Sequence, residues 1–265
     1  MSDSTIQQNP MFTTEVVYQL PFNGKILTDL PFSTNETLVM DIYYPSASQS
    51  TNKILLPVVL FVTGYSDTGF QTKIGMKLKE VKQYSSWARL IAASGIIAVT
   101  YSNTDPEQDI VTLIHYLKEN GKSLGINANK IAVWSCSGNV PNALSVLILT
   151  QSIQCAALCY GYMLDFDGAT EVAKASESFQ FVNPDNGNSP FPNRVPILVV
   201  RAGKDECPGL NTSIDKFVQH ALQINAAISL INHPDGNHAF DLFDNSEQSI
   251  KIIENILAFF QFNLE

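Results

Sequence analysis

Ser137, Asp205 and His238 are the residues of this 265-residue chain whose types and placement suit covalent chemistry, because each lies in the short stretch that follows an apolar run. A serine hydroxyl is a weak nucleophile until a base takes its proton, and histidine can do that near neutral pH. The imidazole must in turn be held in one tautomer and stabilised when charged, which a carboxylate does. A tetrahedral intermediate would then need N–H donors at its oxyanion. Gly138, the residue after the serine, and Tyr65, after Thr63-Gly64, are placed to supply one each. Losing one such donor typically costs about 3–4 kcal/mol.

Rivals exist for each role. Cys136 is an alternative nucleophile, but its flanks would then be Trp134 and Gly138, and tryptophan suits poorly a turn that small residues must let close. His233 is an alternative base; His115 and His220 fall inside helical patterns and read as structural. Asp165 and Asp167 are alternative acids. Cys155 and Cys159 lie in an apolar run with no second ligand pair and read as buried thiols rather than a metal site. Asn183-Pro184-Asp185-Asn186-Gly187-Asn188 resembles a cation loop in composition only and reads as a plain turn.

The elements that must position these residues can be read from periodicity. Ile131-Ala-Val-Trp134 runs into Ser135-Cys-Ser-Gly-Asn139 and then into an apolar helical stretch from Val140 to Thr150. Strand, tight turn and helix are what a nucleophile elbow needs, with Ser137 thrown up at the strand's carboxyl edge. The usual elbow is Gly-x-Ser-x-Gly; Ser135 and Asn139 replace both glycines, and Ser135 is expected to crowd the turn. Residues 14–20 and 37–44 suggest antiparallel strands. Apolar runs at 54–62, 96–101, 131–134, 152–159, 195–200 and about 226–231 read as buried parallel strands. Helical spacing appears at 77–93, after Asp105 to about Gly121, at about 210–222 and at 247–261. The expected fold is α/β, a mostly parallel sheet with helices on both faces. Sites in such sheets lie at the strands' carboxyl ends. Residues 161–194 break the rhythm and read as a lid or wall, and residues 1–10 as a loose tail.

Bulk properties narrow the partners. The chain is 45% hydrophobic and 15% charged with a net charge of −9. Such acidity argues against nucleic acid and anionic membranes, and no apolar run reaches the ~18 residues of a membrane span. The first ten residues lack the cationic start and apolar stretch of a signal peptide, so a reduced, cytoplasmic protein of one domain is expected.

Taken together, Val39-Met-Asp-Ile-Tyr-Tyr-Pro45, Phe61-Val-Thr-Gly-Tyr65, Gly125-Ile-Asn127, Lys130 to Gly138, Ala202-Gly-Lys-Asp205 and His238-Ala-Phe240 resemble the α/β-hydrolase superfamily. The likeness spans about residues 37–262 and is nearest the dienelactone-hydrolase-like branch of small carboxylesterases, close to acetyl-xylan and feruloyl esterases. It implies an α/β-hydrolase fold, a small-molecule ester as substrate, an acyl-enzyme and no cofactor. By position it makes Ser137 the nucleophile, Asp205 the acid, His238 the base, and Tyr65 and Gly138 the oxyanion donors. Thr63 stands where many relatives carry histidine. Acyltransferase, peptidase and non-catalytic binding roles on the same fold stay open, as do acyl length and oligomeric state.

Overall fold

The computed structural model describes residues 9–46, 54–166, 170–184 and 191–265. Its centre is an eight-stranded sheet of β1 (Ile26–Pro31), β2 (Val39–Tyr43), β3 (Leu56–Phe61), β4 (Ile97–Tyr101), β5 (Ile126–Cys136), β6 (Ile153–Cys159), β7 (Ile197–Ala202) and β8 (Ile228–His233). The strands lie in the order β1-β2-β4-β3-β5-β6-β7-β8. The β1–β2 and β2–β4 pairs are antiparallel and all others parallel. The helices are α1 (Pro10–Thr13), α2 (Asp67–Ile74), α3 (Lys82–Ala93), α4 (Pro106–Asn120), α5 (Val140–Leu149), α6 (Thr170–Phe179), α7 (Leu210–Gln223), α8 (Phe240–Phe243) and α9 (Glu247–Leu264). This is the α/β-hydrolase fold.

Alternation along the strands sends side chains to two cores. Val58, Leu60, Val133 and Val199 face one core with α4, α5 and α7. Val59, Phe61, Trp134 and Val200 face the other with α3, α8 and α9. Helix ends follow local chemistry. Asp105 caps α4 by accepting the N–H groups of Glu107 and Gln108, with Pro106 next in line. Ser246 caps α9 in the same way through Ser249.

One expectation fails. Residues 14–20 form no strand. The Val16 N–H donates to the Ser86 hydroxyl and the Val17 N–H to the Asp241 carbonyl, so the segment lies over α3 and α8 instead of pairing with the sheet. The strand at the antiparallel edge is β1, in the stretch Ile26–Pro31 that carries no clear alternation. The break at 161–194 contains α6, and Tyr162 stacks on Phe181 at 5.3 Å, tying this segment into the first core.

Register fixes where the carboxyl ends lie. Phe61 pairs with Trp134, Cys136 with Cys159, Cys159 with Val200, and Ala202 with His233. The chain therefore leaves β3, β5, β6, β7 and β8 along one edge, and Thr63–Tyr65, Ser137, Tyr160, Asp205 and His238 all follow it.

Candidate active site

At that edge the chain turns sharply after Cys136. Ser137 has φ +56°, the left-handed region that costs a non-glycine residue on the order of 1–3 kcal/mol. A tight turn of Ser137–Asn139 then leads into α5. The Ser137 Oγ lies 2.9 Å from His238 Nε2, and His238 Nδ1 lies 2.6 Å from Asp205 Oδ2. The other carboxylate oxygen of Asp205 accepts the Cys207 N–H at 2.9 Å. Asp205 is thus held from two sides, and its side chain is fully shielded from solvent.

Charge within this chain is strongly coupled. Burial raises the Asp205 carboxyl, but the hydrogen bond and charge of His238 and the Cys207 N–H outweigh it and hold the group below the ordinary carboxylate range. Burial pulls His238 down, yet the bond to Asp205, with help from Cys207 and the Asp205 charge, pushes it up to about 9. A hydroxyl, an imidazole and a carboxylate so arranged can move a proton from oxygen to nitrogen and hold the resulting imidazolium.

The rivals do not join this hydrogen-bonded run. Cys136 is buried, and burial pushes its thiol far up, so it carries no thiolate character. His233 is buried and bonded through Nε2 to Asp244 and Ser249, which makes it part of the α8–α9 corner. His115 is exposed on α4, and His220 stacks on Phe166 at 4.5 Å. Asp165 is buried after β6, while His238 pairs with Asp205. Asp167, and Asp185 to Asn188 of the turn-rich stretch, lie outside the described residues.

The altered elbow closes by other means. Ser135 is extended in β5, and its Oγ donates to the Val62 carbonyl at 3.0 Å, tying the elbow strand to its neighbour. Asn139 has φ −86° and ψ −19°, an ordinary right-handed conformation, so glycine's freedom is not needed there. Its Oδ1 accepts the Gly64 N–H at 2.7 Å. Its Nδ2 donates to the Tyr84 hydroxyl at 2.8 Å and the Cys136 carbonyl at 3.0 Å. Room for close approach comes from glycines on other loops. A Cβ on Gly64 would lie 2.8 Å from the Gly138 carbonyl oxygen, and one on Gly161 would lie 2.2 Å from Val140 and 2.8 Å from the Ser137 carbonyl oxygen. The Tyr65 hydroxyl leans over Gly138, where a Cβ would come within 2.3 Å of it.

The site opens into a cleft of about 490 Å³, within the range of small-molecule pockets. Its walls are mainly apolar, with Phe12 of α1, Phe70 and Ile74 of α2, Val81 and Phe179, and Lys73 at the wall. Beneath it lies a buried carboxylate, Asp241, which accepts from Tyr160 at 2.6 Å, Trp87 at 2.8 Å and Gln83 at 3.0 Å. Tyr160 also meets the His238 ring edge-on at 5.2 Å. Sequence reading missed Cys207, Asp241 and the α1 and α2 walls. Cys207, two residues from Asp205, was the one with a local signal.

Comparison with known proteins agrees with the fold. No protein-family model matches the sequence, and no curated protein matches it. Solved structures do. Carboxyl esterase 2 from the mycorrhizal fungus Tuber melanosporum superposes with a TM-score of 0.66 at 18% identity, covering 100% of this chain and 89% of that one. A bacterial heroin esterase gives 0.66 at 13% identity, covering 94% and 87%. Pyrococcus horikoshii acylaminoacyl peptidase gives 0.67 at 15% identity, covering 92% of this chain and 42% of that one.

Proposed function

We propose that this chain is a serine hydrolase of the carboxylesterase type, cleaving small esters of apolar acids or alcohols through an acyl-enzyme. The observation that carries the reading is the hydrogen-bonded run from Ser137 through His238 to Asp205, opening onto an apolar cleft. Ser137 Oγ attacks the ester carbonyl carbon while His238 Nε2 takes its proton. Gly138 and Tyr65 offer backbone N–H groups to the oxyanion. As the tetrahedral intermediate collapses, the C–O bond to the alcohol breaks and His238 returns the proton to the departing oxygen. Water then attacks the acyl-enzyme with His238 again as base, releasing the acid and restoring Ser137. Asp205 keeps the Nδ1 proton facing itself, so that Nε2 remains the acceptor.

The esterases among the structural neighbours support the chemistry only through their shared fold. The dienelactone-hydrolase-like branch remains our reading of the sequence motifs. The mainly apolar cleft favours an ester over a peptide, whose polar backbone would lose its hydration there.

A fluorophosphonate probe followed by adduct mapping tests the assignment. Labelling of Ser137 that disappears in Ser137→Ala is the expected result. A label on Cys136, or none on folded protein, overturns it. A series of p-nitrophenyl esters of rising chain length then sizes the cleft.

A further inference from the structure

Cys207 is the only cysteine of the four that is not buried, and it sits beside the histidine–aspartate pair. Its Sγ lies 3.8 Å from His238 Nδ1, the nitrogen that faces Asp205. One donor atom from each of Asp205, Cys207 and His238 lies within 4.8 Å of the others. A thiolate, an imidazole and a carboxylate are a three-protein-ligand set suited to a borderline-soft divalent cation, with water as the fourth ligand.

We propose that these residues form an inhibitory site for zinc-like cations, one that switches the protein off by changing the tautomer of His238. The inference rests on the hydrolase reading above. Bond lengths in tetrahedral zinc sites place sulfur and nitrogen ligands about 3.6 Å apart, and nitrogen and oxygen ligands about 3.4 Å apart. The sulfur is already near that spacing, at 3.8 Å. The separation of the carboxylate oxygen from Nδ1, now 2.6 Å, must open by about 0.8 Å, and the carboxylate must swing aside from the Nδ1 lone-pair direction that the ion would take.

The proton balance gives the consequence. Cys207 Sγ–H releases its proton to solvent as the metal–sulfur bond forms. The proton on His238 Nδ1 must also leave, because the metal takes that lone pair, and in the neutral ring it reappears on Nε2. The site is then neutral overall: a dication with one thiolate and one carboxylate. Nε2, which would accept the Ser137 proton at 2.9 Å, now carries a proton and donates instead. No base remains for the nucleophile. Cys136, Cys155 and Cys159 do not compete, since burial raises all three thiols and denies them access.

Two readouts on the intact protein test this. Zinc titration should lower p-nitrophenyl ester hydrolysis by about 10²-fold or more, the usual worth of a general base, with recovery on adding a chelator. In Cys207→Ala, with rates scaled to its own metal-free value, that inhibition should be lost. Cadmium titration followed by ultraviolet thiolate-to-metal absorption should show one site per chain in the wild type and none in Cys207→Ala. Equal zinc inhibition of both proteins, or no cadmium–thiolate band in the wild type, overturns the proposal. If the protein hydrolyses no ester, the hydrolase reading fails on its own, and the cadmium band still decides whether the site exists.

Discussion

Replacing Asn139 with glycine would restore the usual elbow pattern, yet the structure predicts that it damages this protein. The side chain makes three buried hydrogen bonds, to the Gly64 N–H, the Tyr84 hydroxyl and the Cys136 carbonyl. At about 1 kcal/mol each, before any cost for partners left unsatisfied, their loss amounts to about 3 kcal/mol. That corresponds to a fall in Tm on the order of 10 °C for a domain of this size. The effect on rate has a separate origin. Gly64 immediately precedes Tyr65, whose N–H we assign to the oxyanion, and Asn139 Oδ1 is what fixes that loop against the elbow. Full loss of one oxyanion donor costs about 10²–10³ in kcat, which sets the upper bound. Asn139→Gly is therefore expected to lower kcat for p-nitrophenyl butyrate by at least tenfold within that bound, with KM little changed, and to melt earlier. Asn139→Asp separates the two effects. It keeps the acceptor for Gly64 but loses both donations, so stability should fall while more of kcat survives. A glycine variant with wild-type kcat and Tm would refute the reasoning.

Other outcomes follow from the same geometry. His238 must be neutral to act as base and is raised to about 9, so kcat/KM should climb with pH toward a plateau above that value; an ascending limb centred near the ordinary histidine value of about 6.5 would contradict it. Asp205→Asn should cost about 10³–10⁴ in kcat, in the manner of triad aspartates, and move any residual limb to lower pH. His233→Ala should lower Tm through the lost Asp244 and Ser249 contacts while leaving kcat nearly unchanged; a collapse of kcat in a folded variant would reinstate His233 as base. Asp241→Ala removes the shared acceptor of Tyr160, Trp87 and Gln83 and should cost about 3 kcal/mol or more, read by chemical denaturation.

Much of the architecture was legible because the parallel strands announce themselves. Val58 to Val62, Ile97 to Val99 and Ile131 to Trp134 are fully buried, and continuous apolar runs of that kind have few alternatives in an α/β chain. Strand-end residues then fell on one edge by topology alone, which is why Ser137, Asp205 and His238 could be named without coordinates. The edge strand was not legible, because β1 is half exposed with no clean alternation and pairs through a bulge between Leu27 and Leu30. Residues 14–20 carried a β-like composition that helix contacts overrode. How the altered elbow closes was not legible, for a more instructive reason. A motif counts glycines along the chain, but close approach is a property of two backbones. Here the missing Cβ atoms belong to Gly64 and Gly161, on the loops facing the turn.

That displacement bears on how the strained edge is held. Ser137, Tyr160 and Ala239 all have positive φ, at 56°, 35° and 56°, and they follow β5, β6 and β8 at the same site. Each costs stability locally, and such geometry persists only where its surroundings over-determine it. Asn139 pins the turn at Ser137 to the β3 loop and to Tyr84 of α3. Asp241 performs the matching task for the other two. It receives the Tyr160 hydroxyl directly, and it lies in α8, the helix that begins just after Ala239. Gln83 and Trp87 bind the same carboxylate from α3. One helix, α3, thereby anchors both clamps, and the line from Ser137 to His238 spans the gap between them. A buried carboxyl group shared by three donors is a costly choice for stability alone. It is intelligible as the group that keeps the His238 ring, packed on Tyr160 and followed by a strained Ala239, at 2.9 Å from the serine oxygen.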